Sequence, residues 1–290
     1  MRWQLSFDNF SSYLQLMRMD KPIGIYLLLW PTLWALWIAS FGVPNWHYTL
    51  VFVLGVVLMR SAGCVINDYA DRKFDGHVSR TSQRPIPSGK VTPTEALQLF
   101  FVLIVSAFFL VLTLDIYVVI LSIGGLLLAS IYPFMKRYTH FPQVVLGAAF
   151  SWAIPMAFMA VQADLPIEMW VLYFANLTWT IAYDTFYAMV DKDDDLKIGV
   201  KSTAIAFGKN DLLIIGLLQL TTIWLFVQLH AYLSWHWPMT VAIAASATMF
   251  VMQLWDCRTR DKAKCFKAFL DNHYVGLIIF IGLVIEYWIF

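Results

Sequence analysis

Apolar runs of roughly twenty residues recur along almost the whole chain, and they constrain its fold more than any other feature. A hydrocarbon core about 30 Å thick needs about 20 apolar residues per helix. Runs that meet this need fall at approximately 22–42, 46–66, 93–113, 115–133, 142–162, 167–188, 211–232, 236–254 and 272–290. They are continuous rather than alternating, which argues against a strand-built barrel. The expected fold is an all-α integral membrane protein, a single domain over 1–290 built as a bundle of about nine transmembrane helices. A soluble alternative fails on composition. With 60% hydrophobic and 13% charged residues, 290 residues lack the polar surface to cover themselves in water. The first run is too long for a secretory leader, and no small-residue cleavage site follows it. Ahead of it, Trp3, Leu5, Phe7, Phe10, Leu14 and Met17 suggest a segment lying on the membrane surface.

The few charges are sorted. All but one of the 20 lysines and arginines fall before the first run or in the connections after the second, fourth, sixth and eighth. The remaining one, Arg60, lies inside the second run. The other connections carry Asp115, Asp164 and Glu168 without a basic residue. By the positive-inside rule the N-terminus is cytoplasmic and the C-terminus lies across the membrane. A net charge of +1 and the lack of a basic tract give no reason to expect nucleic acid as a partner. Protein partners are not legible. Cys64, Cys257 and Cys265 show no C-x-x-C spacing, so neither a disulfide framework nor a zinc site is indicated.

Two of the cytoplasmic connections are rich in aspartate. The first reads Asn67-Asp68-Tyr69-Ala70-Asp71-Arg72-Lys73-Phe74-Asp75; the second reads Asp191-Lys192-Asp193-Asp194-Asp195, with Asp184 upstream in the sixth run. If the second helix continues past the membrane edge, Arg60, Cys64, Asn67, Asp71 and Asp75 share one face. On the sixth, Asp184, Tyr187 or Ala188, Asp191 and Asp194 or Asp195 form a similar stripe, while Asp193 points away. Like charges at such spacing repel. A divalent cation reverses the sign, and magnesium takes one or two carboxylates together with phosphate oxygens and water. Two facing clusters therefore suit a metal–diphosphate complex better than a solvated acidic loop. Asp184 and Arg60, placed at membrane depth, are functional candidates on their own account. Lys21, Arg72, Lys73, Arg84, Lys136, Arg137 and Lys197 gather at the same end as possible diphosphate partners. Arg84 sits in Arg84-Pro85-Ile86-Pro87-Ser88-Gly89, a stiff turn.

These residues resemble the UbiA-type intramembrane prenyltransferases. Asn67-Asp68-x-x-Asp71-x-x-x-Asp75 matches the family's N-D-x-x-D-x-x-x-D motif, Asp191-x-x-x-Asp195 its second D-x-x-x-D motif, and Tyr132-Pro133-Phe134-Met135-Lys136 its Y-x-x-x-K element. The resemblance runs through the whole chain and is closest to the bacterial branch that prenylates 4-hydroxybenzoate in ubiquinone biosynthesis. It implies a magnesium-dependent enzyme of the bacterial inner membrane that moves a polyprenyl group from polyprenyl diphosphate to the 3-position of 4-hydroxybenzoate. Asp71, Asp75, Asp191 and Asp195 would hold Mg2+ and, with Arg137, be catalytic. Arg18, Lys21, Arg60, Asn67, Asp68, Arg72, Arg84, Tyr132, Lys136 and Asp184 would bind substrate. The acceptor carboxylate needs a cation, and Arg18, Arg60, Arg72 and Arg137 all qualify. Another aromatic acceptor on the same fold is an alternative. A cation-dependent transporter is disfavoured because the carboxylates cluster at one membrane edge rather than the midplane. A CDP-alcohol phosphotransferase is disfavoured because its two Asp pairs would have to share one short block.

Overall fold

The computed structural model describes residues 3–72 and 83–290. It is helical throughout these residues: α1 Phe10–Leu16, α2 Ile23–Ala39, α3 Trp46–Asp71, α4 Pro93–Val111, α5 Ile116–Tyr138, α6 Pro142–Ser151, α7 Ala153–Gln162, α8 Ile167–Ile198, α9 Thr203–Phe207, α10 Asp211–Tyr232, α11 Trp237–Asp256 and α12 Lys262–Ile289. Each expected apolar run coincides with helix. The run at 142–162 is broken into α6 and α7 at Trp152. The cause is Pro155, which lacks the N–H that would bond the Ser151 carbonyl and whose ring crowds it.

Among the described residues, seven helical stretches are long and apolar enough to cross a membrane. Two of the expected spans fall outside that set, for different reasons. Helix α2 is apolar but only 17 residues long. Helix α8 is long, but Asn176, Thr180 and Thr185 break its apolarity. Those three are fully buried, so α8 is polar where it faces the bundle interior rather than lipid. The helices also outrun the apolar stretches at the charged end. Helix α3 continues to Asp71, α8 to Ile198, and α12 begins at Lys262.

Polar caps set these ends. The Thr92 side chain accepts from the Glu95 N–H while the Glu95 carboxylate accepts from the Thr92 N–H, and Pro93 opens α4. The side chains of Asn45, Asp115 and Asp261 accept from the first turns of α3, α5 and α12. Gly199, at φ 71°, ends α8 in the left-handed conformation that glycine adopts without strain.

The core lies where α2, α7, α8, α10 and α12 meet. Trp34 packs at 5.3 Å from Trp179 and edge-on to Phe226 at 5.5 Å, and its indole N–H donates to the Gly276 carbonyl at 3.0 Å. On the other side of α2 and α3 the bundle is not filled. A cavity of about 1320 Å³ runs beside α3 from Phe52 to Asp68, walled by parts of α2, α4, α5, α6 and α7 and, at its charged end, by α8 and α12.

Candidate active site

Helix α3 brings its last turns to the charged end of that cavity. Asp68 and Asp71 are both buried there, at 1% and 4% exposure. Each is met by basic side chains from elsewhere in the chain. The Arg18 guanidinium donates to both Asp68 oxygens at 2.9 and 3.1 Å, and Arg84 donates to Oδ1 at 3.0 Å. Arg18 lies in the turn after α1 with φ 58°, in the left-handed region, and is held there in part by a bond from its own Nη1 to the Gln15 carbonyl. One carboxylate thus gathers the N-terminal segment and the Arg84 turn onto α3.

Asp71 is served by α5. The Lys136 ammonium forms an ion pair with its Oδ2, and Arg137 Nη2 stands 3.9 Å from its Oδ1. That Oδ1 is buried and has no hydrogen-bond partner. Arg137 donates to the Ala70 carbonyl at 2.9 Å and lies 5.5 Å over the Phe134 ring. Tyr132, one turn before Lys136, reaches the cavity wall.

The long α8 supplies the second cluster. Its Asp195 carboxyl is pushed up to about 7, chiefly by burial and then by the Asp191 carboxylate, with Lys136 opposing and Asp194 and Asp71 adding to the rise. Asp71 of α3 and Lys136 of α5 thus both act electrostatically on Asp195 of α8. Asp193 points out to solvent and pairs with Lys262 at 2.8 Å, and Asp194 pairs with Lys197 at 3.0 Å. Among the described residues no three metal-ligating side chains form a ready-made cage. Asp75 and Lys73 lie outside the described residues, as does any continuation of the α3 stripe to Asp75.

The expected site residues separate into two groups. Arg18, Lys21, Arg60, Asn67, Asp68, Arg84, Tyr132 and Asp184 line the cavity. Asp71, Lys136, Arg137, Asp191 and Asp195 gather at the charged end without forming its wall. Arg72 joins neither group. It folds back over the Tyr69 ring at 4.0 Å and donates to the Tyr69 carbonyl at 2.6 Å.

Arg60 sits deeper, against Gly24 and 5.6 Å over the Phe150 ring. Its Nε is buried without a hydrogen-bond partner, and it has no ion pair within 4 Å among the described residues. Asp184, Tyr132 and Tyr183 share its electrostatic surroundings.

Beside Asp184 stands an aromatic wall of Tyr183, Tyr187, Phe266 and Phe269, of which sequence reasoning reached only Tyr187, as an option on the Asp184 stripe. Tyr187 stands 4.9 Å from Phe269 and 6.3 Å from Phe266. The two tyrosines flank Asp184 on the α8 face and were in principle findable from it. The phenylalanines precede the apolar run expected to begin at 272, in turns of α12 that hydropathy does not mark.

A family model described as UbiA prenyltransferase family matches residues 28–282. The 4-hydroxybenzoate octaprenyltransferase of Vibrio parahaemolyticus is 60% identical over 98% of this chain and 100% of its own length. That of Enterobacter sp. (strain 638) is 56% identical over 99% and 100%. Among solved structures, the apo form of a UbiA homolog from Aeropyrum pernix K1 superimposes with a TM-score of 0.80 at 23% identity, covering 90% of this chain and 97% of that one. A UbiA homolog from Archaeoglobus fulgidus bound to DMAPP and Mg2+ gives 0.74 at 16% identity, covering 96% and 100%.

Proposed function

The chain belongs to the UbiA prenyltransferase family, and from that premise we propose that it transfers an octaprenyl group from its diphosphate to C3 of 4-hydroxybenzoate. The observation that carries this reading is a charged mouth, with carboxylates and several cations, set over a deep, largely apolar cavity. A diphosphate ester of a long hydrocarbon has that same division.

The residues fit a magnesium ion. Asp71 keeps one buried oxygen without a hydrogen bond, and burial together with acidic neighbours disfavours the Asp195 carboxylate until a cation joins them. Asp71, Asp191 and Asp195, with Asp75, would hold it. The chemistry supplied by bound magnesium is Lewis-acid neutralisation of the leaving diphosphate.

The chain's own side chains do the rest. Lys136 and Arg137, with Arg18, Lys21 and Arg84, share the charge that develops as the C–O bond breaks. The aromatic wall of Tyr187, Phe266 and Phe269 keeps water from the allylic cation and offers it ring faces. Of the four arginines open to the acceptor, Arg60 is favoured, because it lines the cavity at depth and has no ion pair among the described residues. Its partner there is the acceptor carboxylate. Asp184 accepts the phenol hydrogen bond, which enriches the ring carbon ortho to the hydroxyl. That carbon bonds to the allylic cation, its proton leaves with the diphosphate, and aromaticity returns.

The domain 1–290 acts as one unit in a bacterial inner membrane, with the site facing the cytoplasm and the C-terminus on the opposite side; the placement of the basic residues supports that orientation. Membranes holding the chain, supplied with magnesium, 4-hydroxybenzoate and octaprenyl diphosphate, are expected to yield 3-octaprenyl-4-hydroxybenzoate by mass together with inorganic diphosphate. If neither product forms, the reading fails.

A further inference from the structure

Nine glycines lie inside helices α2–α12, and they divide sharply by what surrounds them. A Cβ added at Gly24, Gly124, Gly125, Gly147, Gly276 or Gly282 would press within 3 Å of a neighbouring side chain, and at Gly216 it would come within 3.3 Å. A neighbouring side chain crowds all seven. At Gly55 and Gly63 an added Cβ meets nothing within 4 Å. Both are in the middle of α3, where glycine weakens a helix relative to alanine. No turn requires them, since neither has a positive φ. Packing and backbone geometry therefore leave them unexplained.

Their position explains them. Both line the large cavity, and Gly55, Met59, Gly63 and Asn67 form one row at i, i+4 spacing running down from the mouth. At 1.5 Å per residue, Gly63 lies about 6 Å and Gly55 about 18 Å beyond Asn67. The cavity continues past Gly55 to Phe52 on α3 and to Val111 and Leu114 where α4 ends. A second observation marks this space for a ligand: Tyr183, 1% exposed, lines the same cavity, and its buried hydroxyl has no hydrogen-bond partner.

We propose that Gly55 and Gly63 are specificity-determining residues, whose missing side chains keep a track clear along α3 and set the length of prenyl chain the chamber admits. The proposal rests on the prenyl-transfer reading above. A side chain at Gly63 would obstruct the track near the head group. One at Gly55 would cap it further down, sparing short donors and excluding long ones. The effect is thus graded by position along a single helix face.

The test is a donor series of geranyl, farnesyl, geranylgeranyl and octaprenyl diphosphates, with turnover expressed as the ratio of each donor to geranyl diphosphate. Gly55→Leu is expected to lower the octaprenyl-to-geranyl ratio at least tenfold. Gly63→Leu is expected to move the fall to a shorter donor. Leu54→Phe, on the exposed outer face of the same helix, is expected to leave the ratio at its wild-type value. Equal losses with every donor in Gly55→Leu, or a ratio unchanged from wild type, would overturn the proposal. A wild-type chain that turns over no donor would instead sink the prenyl-transfer reading.

Melting temperatures give a readout independent of turnover. Gly55→Ala and Gly63→Ala should hold or raise the melting temperature, and Gly276→Ala should lower it. A drop in the first two would show that these glycines serve packing, and would also overturn the proposal.

Discussion

At the scale of single residues, the mouth depends on carboxylates that are costly without a cation. Burial, with the Asp191 and Asp71 carboxylates adding to it, pushes the Asp195 carboxyl up to about 7. Replacing any one by asparagine is expected to lower turnover by about 10²-fold or more, as for other groups that stabilise transition-state charge. Asp193→Asn, at an exposed pair with Lys262, is expected to stay within about twofold, because solvated ion pairs contribute little. Initial rates on detergent-solubilised protein compare the four directly. Retention of most activity in an Asp71, Asp191 or Asp195 variant would remove that residue from the metal site. Arg60→Lys keeps the charge but loses the planar fork. It is expected to raise KM for 4-hydroxybenzoate on the order of tenfold, while KM for the diphosphate donor stays near wild type.

Among helices, a polar seam in the apolar bundle fixes register. The Trp179 indole donates to Asn272 Oδ1 at 2.8 Å, Asn272 donates to the Ala268 carbonyl at 2.7 Å and to Gln253 at 3.4 Å, and Gln219 donates to Gln253 at 3.1 Å. Helices α8, α10, α11 and α12 are joined through side chains with no exposed route to water. Asn272→Leu strands the indole N–H and is expected to cost about 1–2 kcal/mol, near the upper range for intramembrane hydrogen bonds, read as a lower unfolding midpoint. An unchanged midpoint would mean the seam holds no register.

The same helices show what hydropathy can and cannot reveal. Apolar runs mark spans because the bilayer demands them. The ends of α8 and α12 depend instead on Gly199 at positive φ and on the Asp261 side-chain cap, which act locally and leave no apolar trace. Phe266 and Phe269 were hidden for that reason. The aspartate rows were legible because helical spacing makes them a stripe. The fastening of Arg18 and Arg84 to Asp68 was not, because loop closure decides it.

For the whole molecule, orientation is testable at its last residue. A periplasm-active reporter joined through a linker to Phe290 is expected to be active, and the same reporter joined after Arg258 is expected to be silent; the reverse pattern would invert the topology. The pairing of Lys136 with Asp71, and of Arg18 and Arg84 with Asp68, bears on the molecule as a whole. The basic side chains Lys136, Arg18 and Arg84 are already held by carboxylates before any substrate arrives. Docking of a diphosphate head is then an exchange of partners, and its free energy is the difference between two sets of attractions of similar kind. Ionic strength weakens both sets together, so the apparent affinity for the donor should change little between low and moderate salt. An open cluster of unmatched cations would instead lose affinity steeply over that interval.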